Sequence, residues 1–374
     1  MNLRLKEVAK VFFKLGCFAF GGPAAHIAMM EDEIIEKRKW MTRDYFLDLI
    51  GTTNLIPGPN STEMTMHCGY ERAGKAGLFV AGIAFIFPAT LVTAILAYLY
   101  VEYGELPQVE PFIYGIKPAV LAIIASAILK LGKKAAKSTE LIIIGVLVLI
   151  VSLLGINEIA ALLGAGVLGM LYFYLKSRTM NGINSISPLF LFLGINTTIA
   201  KLSTFKLFLI FLKVGAILYG SGYVLFAYLD AELVTRGLLT RAELIDAIAI
   251  GQFTPGPVLS TSTFIGYQLS GFTGALVATA GIFLPSFLFV LILNPFIPKM
   301  RNSLLLRYFL DSVNIAAVAV MLAVLLVMAS DTLMQWQSIA IALVAGSLTF
   351  KTKVSTIWTI VIGAILGFIL LTFF

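Results

Sequence analysis

Two Pro-Gly-Pro tripeptides, Pro57-Gly58-Pro59 and Pro255-Gly256-Pro257, stand inside long apolar stretches of the chain. Proline lacks the N–H that continues a helix and clashes with the preceding turn, so each tripeptide stops one helix and starts another. Pro57 and Pro255 are expected to end a half-helix, and Pro59 and Pro257 to sit in the first turn of the next. A helix that starts there exposes free N–H groups and the positive end of its dipole, a ready site for an anion. Hydroxyls and an amide follow at once: Asn60, Ser61 and Thr62 in one case, Ser260 and Thr261 in the other. Such donors suit a tetrahedral dianion without adding charge. The plainer alternative is that the prolines only kink a helix and the hydroxyls bond back to its carbonyls. Gly21-Gly22-Pro23 and Gly220-Ser221-Gly222 would break an earlier segment in the same manner and offer two more N–H nests. Close helix packing through small residues accounts for those glycines equally well.

Charged groups within apolar segments are costly and default to functional hypotheses. Glu63 and His67 are four apart on the helix after the first break, so they share a face and suit a proton relay. A satisfied structural pair is the alternative. Lys14 and Lys213 interrupt apolar runs and either attract a dianion or snorkel to the lipid boundary. Asp48 and Asp246 each precede a Pro-Gly-Pro and call for a basic partner. His26 reads as a satisfied interior histidine, Lys117 as an interfacial cation, and Trp40, Trp336 and Trp358 as interfacial anchors. Cys17 and Cys68 lack metal-ligand spacing and read as small buried hydrophobes. No catalytic nucleophile, metal site, cofactor motif or phosphate-binding GxxxxGK[ST] is found, so no enzyme and no ATP-driven pump is expected.

What positions these residues is a duplicated helical architecture. Of 374 residues 59% are hydrophobic and 13% charged, and mean hydropathy is +0.96. A soluble domain carries about 25% charged residues, so the solvent here is lipid. The net charge of +7 lies in short Lys/Arg clusters between apolar runs, which sets orientation in a bilayer and does not indicate nucleic acid. The basic N-terminus runs into Gly21-Gly22-Pro23, which recurs later in the chain, so it reads as mature structure and not as a leader.

Landmarks recur in order. Lys14-Leu15-Gly16 matches Lys213-Val214-Gly215; Glu31 and Glu33 match Asp230 and Glu232; Gly69, Gly74, Gly77 and Pro88 match Gly266, Gly271, Gly274 and Pro285. On this register Glu63 and His67 fall on Ser260 and Phe264, so the charge pair belongs to one half only. Residues 1–180 and 205–374 are read as two halves with a linker over 181–204, within which 187–200 is apolar. Apolar runs near 77–101, 112–131, 139–154 and 157–176 close the first half; runs near 272–297, 304–330, 336–350 and 354–374 close the second. The expected fold is an all-α integral membrane protein of about 9–13 segments. The run from 77 ends at Glu102, Glu105 and Glu110, whereas that from 272 ends at Lys299, Arg301 and Arg307. The halves are therefore expected to be inverted, with the N-terminus cytoplasmic and the C-terminus outside the inner membrane.

The strings FFKLGCFAFGGPAAHIAMMEDEII, NLIPGPNSTEMTMHCGYERAGKAG and FIFPA, with the second copy FLKVGAILYGSGYVLFAYLDAELV and IGQFTPGP, resemble the chromate ion transporter family. The resemblance is clear over about 10–90 and 208–290. It implies a secondary transporter that carries chromate, with sulfate as a competitor, driven by the proton gradient, with the Pro-Gly-Pro loops and Gly-Gly region involved. The expected partners are a small inorganic anion, the lipid bilayer and a second copy of the chain. Asn54, where the family usually has glutamine, and the Glu63/His67 pair depart from the common pattern, so the resemblance supports an oxyanion more firmly than chromate itself. Another anionic solute, a lipid carrier, a channel or a membrane enzyme on phosphorylated lipid are the rival readings.

Overall fold

The computed structural model describes residues 3–373 except 21, 54, 179–202, 220–221, 294–302 and 353. The described residues form helices and no strand. Helix α1 (Leu3–Phe18) buries the stripe Val8, Val11, Phe12 and Leu15. The chain then breaks, and α2 (Pro23–Glu31) starts with proline in its first turn and Gly22 at φ 80 ahead of it. It runs into a π-helical turn, Asp32–Lys37, and folds back along α1, so that Glu33 meets Lys14 at 2.9 Å. Helix α3 (Arg43–Thr53) and the first arm of α4 (Asn60–Tyr103) make a second hairpin with Pro57-Gly58-Pro59 at its tip. The Tyr45 hydroxyl donates to Glu71 at 2.9 Å across its base. Helix α4 itself turns sharply at Ala73-Gly74, where Gly74 has φ 64. Its arms, 60–72 and 75–103, lie so close that a side chain on Gly69 or Gly77 would overlap the other's carbonyl. Helices α5 (Glu110–Ala135), α6 (Thr139–Leu153) and α7 (Glu158–Arg178) complete the first half.

The second half has the same sequence of elements. Helix α8 (Thr204–Ile217) leads through a 3-10 turn to α9 (Leu225–Leu229) and a π turn at Asp230–Val234. Helix α10 (Arg241–Phe253) opens on a capping box, with Thr240 and Glu243 closing each other's free groups. Then come α11 (Thr261–Leu293), bent at Ser270-Gly271, α12 (Leu304–Thr332), α13 (Trp336–Lys351) and α14 (Thr356–Phe373). Equivalent contacts recur: Lys213 on Glu232 at 2.7 Å, Gln268 donating to Glu243 at 2.9 Å, Gly266 against Gly274. The long arm of α4 packs on α11, Phe79 stacking on Phe287 and Tyr98 meeting Tyr267 edge-on. Helix α5 packs on α13 and α14, while α12 packs on α6 and α7. Glycines set the closest approaches, Gly115 lying against Gly363 and Gly367.

Among the described residues, six helical stretches are long and apolar enough to cross a membrane: 60–103, 110–135, 158–177, 258–293, 304–332 and 356–373. The long arm of α4 exposes Phe79, Ile83, Phe87, Leu91 and Ile95, one residue in four, while its opposite face buries Leu78, Ala81, Phe85 and Ala89. An exposed apolar stripe on one face and a fully buried one on the other mark a helix between lipid and protein. The protein is therefore a multi-pass membrane protein. The Pro-Gly-Pro segments were expected as interrupted helices; each instead doubles back. An arm of 11 residues such as α3 rises only about 16 Å, roughly half the apolar thickness of a bilayer.

Candidate functional site

The tips of the hairpins meet. The Gly58 N–H donates to the Leu218 carbonyl at 2.6 Å, and the Gly256 N–H donates to the Ala19 carbonyl at 2.9 Å. Ala19 and Leu218 stand at equivalent breaks, so each Pro-Gly-Pro is bound to the broken segment of the other half. Gly58 has φ 139 and Gly256 has φ 85, backbone states that other residues rarely adopt. The prolines sit slightly outside their expected places. Helix α3 ends at Thr53 and α10 at Phe253, while Pro59 is the cap of α4 and Pro257 the cap of the 3-10 turn Val258–Ser260. Gly21, Gly220, Ser221 and Asn54 lie outside the described residues.

Around the first tip the side chains are buried and polar. Glu63 has no exposed surface. Its carboxylate and the Ser286 hydroxyl of α11 both crowd the space where a Gly58 side chain would go. Among the described residues, neither Glu63 oxygen, nor Ser286 Oγ, nor Thr62 Oγ1 makes a hydrogen bond of good geometry. Asn60 opens the helix, and His67 is buried one turn beyond Glu63. His26 ties the two breaks of this half together: its Nε2 lies 3.0 Å from the Ala19 carbonyl and its Nδ1 3.2 Å from Ser61 Oγ. A carbonyl only accepts, so the proton is assigned to Nε2 and Nδ1 accepts from Ser61.

The second tip is different. Gly256 faces the methyl group of Ala89, and the hydroxyls are satisfied locally. Thr261 donates to the Val258 carbonyl at 2.8 Å and Ser262 to the Leu259 carbonyl at 2.7 Å, while Ser260 and Thr254 share a 3.3 Å contact. Beside this tip lies a cavity of about 70 Å³, bounded by Phe20 and Gly22, by Gln252, Thr254 and Gly256, and by Ser355 and Thr356 at the start of α14. Gln252 Nε2 has no hydrogen-bond partner among the described residues. The start of α14 and Ser286 were not singled out in the sequence; Gln252 stands where the first half has Asn54.

The two lysines lie elsewhere. Lys14 pairs with Glu33, and Lys213 with Glu232, at the open ends of the first hairpin of each half. Lys37 and Arg236 complete the clusters at 3.2 and 2.9 Å. Burial alone would raise the Glu33 carboxyl, but bonds from Lys14 and Lys37 and the charge of Arg38 outweigh it and hold it at about 2. Lys117, read as an interfacial cation, has a partner the sequence did not indicate: its Nζ lies 3.3 Å from Asp246, which also accepts from the Tyr100 hydroxyl at 2.7 Å. Trp40 packs edge-on to Phe12, donates to Glu7 and lies under Arg72, whereas Trp336 and Trp358 are exposed.

The sequence matches the chromate transporter family over residues 6–170 and 205–368. It is 31% identical to the chromate transport protein of Cupriavidus metallidurans over 97% of this chain and 92% of that one. The probable chromate transport protein of Synechococcus elongatus is 29% identical, over 98% and 95% of the two chains. The chromate transport protein of Pseudomonas aeruginosa is 27% identical, over 96% and 90%. No solved structure matches the chain. Nearly full-length similarity to transport proteins, together with six long apolar helices around broken hairpins, establishes that the chain belongs to the chromate transporter family, membrane proteins that transport ions and are not enzymes.

Proposed function

We propose that this chain carries a tetrahedral oxyanion, chromate first and sulfate-like dianions next, across the cytoplasmic membrane by alternating access. The observation that carries the reading is the reciprocal pair of backbone bonds, Gly58 to Leu218 and Gly256 to Ala19, which gathers all four chain breaks at the junction of the halves. Helix starts at a repeat junction are where secondary transporters hold anionic substrates. The cavity beside Gly256 offers the free donor of Gln252, the hydroxyls of Ser355 and Thr356, and the N-terminus of α14. Lys14 and Lys213 take no part, because carboxylates neutralise them.

Two halves of inverted topology, 1–180 and 205–374, fit the contacts. Phe79, early in the long arm of α4, stacks on Phe287, late in α11; Tyr98, late in α4, meets Tyr267, just before the α11 bend. Such antiparallel contacts are what inverted halves would make, and the basic clusters favour a cytoplasmic N-terminus. Glu63 carries the coupling proton: it is a buried carboxyl at the tip of one half, with Ser286 beside it and His67 one turn on. Reconstituted protein should show saturable chromate flux that follows an imposed pH gradient. Glu63→Gln should keep the fold and bind chromate yet lose the dependence on the gradient. Normal gradient-driven flux in that variant would remove Glu63 from the mechanism, and absence of both chromate and sulfate flux in folded wild-type protein would remove the substrate.

A further inference from the structure

The two Pro-Gly-Pro hairpins are equivalent in sequence but unequally packed. Helix α10 buries Leu244, Ile245, Asp246, Ala247, Ile248 and Ala249 and lies against α5, α12 and α14. Among the described elements, helix α3, its counterpart, makes extensive contact with α4 alone. Tyr45 and Leu47 are 40% and 52% exposed, and Asp48 is exposed where its counterpart Asp246 is buried. One hairpin is clamped to the outer helices and the other stands away from them.

What holds the clamped hairpin is a bond across the halves. Asp246 of α10 receives the Tyr100 hydroxyl of α4 and the Lys117 ammonium of α5, both through Oδ2. Tyr100 is further fixed edge-on against Phe264 at 5.1 Å between ring centres. Lys117 falls on Asn314 of α12 by the register that carries Gly69 and Gly77 onto Gly266 and Gly274. The cation therefore exists on one side only. Asp48, if its hairpin closed on α12, would meet a neutral amide.

We propose that Asp246, Tyr100 and Lys117 are a latch that sets which side of the transporter is closed, and that the transport cycle exchanges the packing of the two hairpins. Releasing α10 from α5 is coupled to docking α3 on α12, which brings Asp48 to Asn314. Because an ion pair holds one closure and an amide the other, the two states are unequal, and the latched state is the resting one. Lys117 and Asp246 are positioning residues, remote from the tips. The inference rests on the alternating-access reading but not on the identity of the anion.

The test is a proximity measurement in a Cys17→Ser, Cys68→Ala background carrying Asp48→Cys and Asn314→Cys, treated with a short bifunctional maleimide. In resting proteoliposomes the pair should cross-link poorly. Under turnover with chromate or sulfate and a pH gradient the yield should rise several-fold. Adding Lys117→Met should raise the resting yield by about tenfold, the effect of shifting the equilibrium by about 1.4 kcal/mol. Tyr100→Phe should raise it less, and Lys117→Arg should restore the resting value. The Tyr100→Phe measurement stands even if Lys117→Met does not fold. Equal resting yields in the latch variants, or no cross-link at any stage while flux continues, would overturn the latch. A raised yield in Lys117→Met with no flux of either anion would keep the latch and remove the substrate reading.

Discussion

Replacing Gly58 by alanine should destabilise the protein more than the same change at Gly256, and the difference can be worked from the two tips. Both glycines have positive φ, 139 and 85, so each substitution strains the backbone by about 1–3 kcal/mol. The surroundings then separate them. A methyl group on Gly58 would land on Glu63 Oε1 and 2.5 Å from Ser286 Oγ, both on buried side chains. On Gly256 it would meet the Ala89 methyl at 2.9 Å, which a small shift relieves. Overpacking of the first kind costs about 1–3 kcal/mol. Gly58→Ala should therefore lose about 2–6 kcal/mol, and Gly256→Ala about 1–4. The assay is thermal unfolding in detergent followed by tryptophan fluorescence, with Gly51→Ala as control, since a methyl group there meets nothing within 4 Å among the described residues. Adding Glu63→Ala to Gly58→Ala should recover the overpacking part but not the strain, giving a favourable coupling of about 1–3 kcal/mol in the double-mutant cycle. Equal losses at the two glycines, or strict additivity with Glu63→Ala, would refute this geometry of the first tip.

Lys213→Met should cost about 1–3 kcal/mol by leaving the buried Glu232 to Arg236 alone, whereas Lys14→Met should cost less because Glu33 keeps Lys37 and Arg38; KM for the transported anion should not move in either. Glu33, held at about 2 against 4.5 for a free glutamate, adds stability that is fully present above pH 4.5 and lost as the pH falls toward 2. Melting curves of wild type and Glu33→Gln should thus differ at pH 7 and converge near pH 2. Gly274→Val should prevent folding, since its side chain would enter the Gly266 carbonyl, and loss of the monodisperse peak on size exclusion checks it.

The long helices were legible in the sequence because lipid imposes a one-dimensional signal. The run 304–330 became Leu304–Thr332, and 112–131 became Glu110–Ala135. The hairpins were not legible as hairpins. Pro-Gly-Pro tells that a helix stops, while the direction of the next arm depends on Gly74 and Gly271 turning it beside its successor. For the same reason Lys14 and Lys213 read as candidates for the anion: nothing in the linear sequence brings residue 33 beside residue 14 until α2 folds back. Lys117 and Asp246 belong to different halves, and only the packing of α10 on α5 joins them.

The two tips share a backbone but not a chemistry, and that bears on how transport is driven. Coupling an anion to a proton needs a titratable group close to where the anion sits. Here the duplicated bonds, Gly58 to Leu218 and Gly256 to Ala19, keep the geometry common. The side chains then diverge. Glu63 and Ser286 stand at one tip where Ser260 and Ala89 stand at the other, and Gln252 opens onto a cavity beside the second. A carboxyl with no exposed surface is costly as an anion, and more costly still with a dianion nearby. On the proposed reading, an anion at the junction and a charged Glu63 would oppose each other, so anion entry would favour a protonated carboxyl and proton loss would favour anion release. That linkage is satisfied by a single carboxyl, and of the two tips only the first carries one at this position. It also predicts that moving it, as Glu63→Ser with Ser260→Glu, should retain coupled flux while exchanging the membrane face at which external pH acts on chromate affinity.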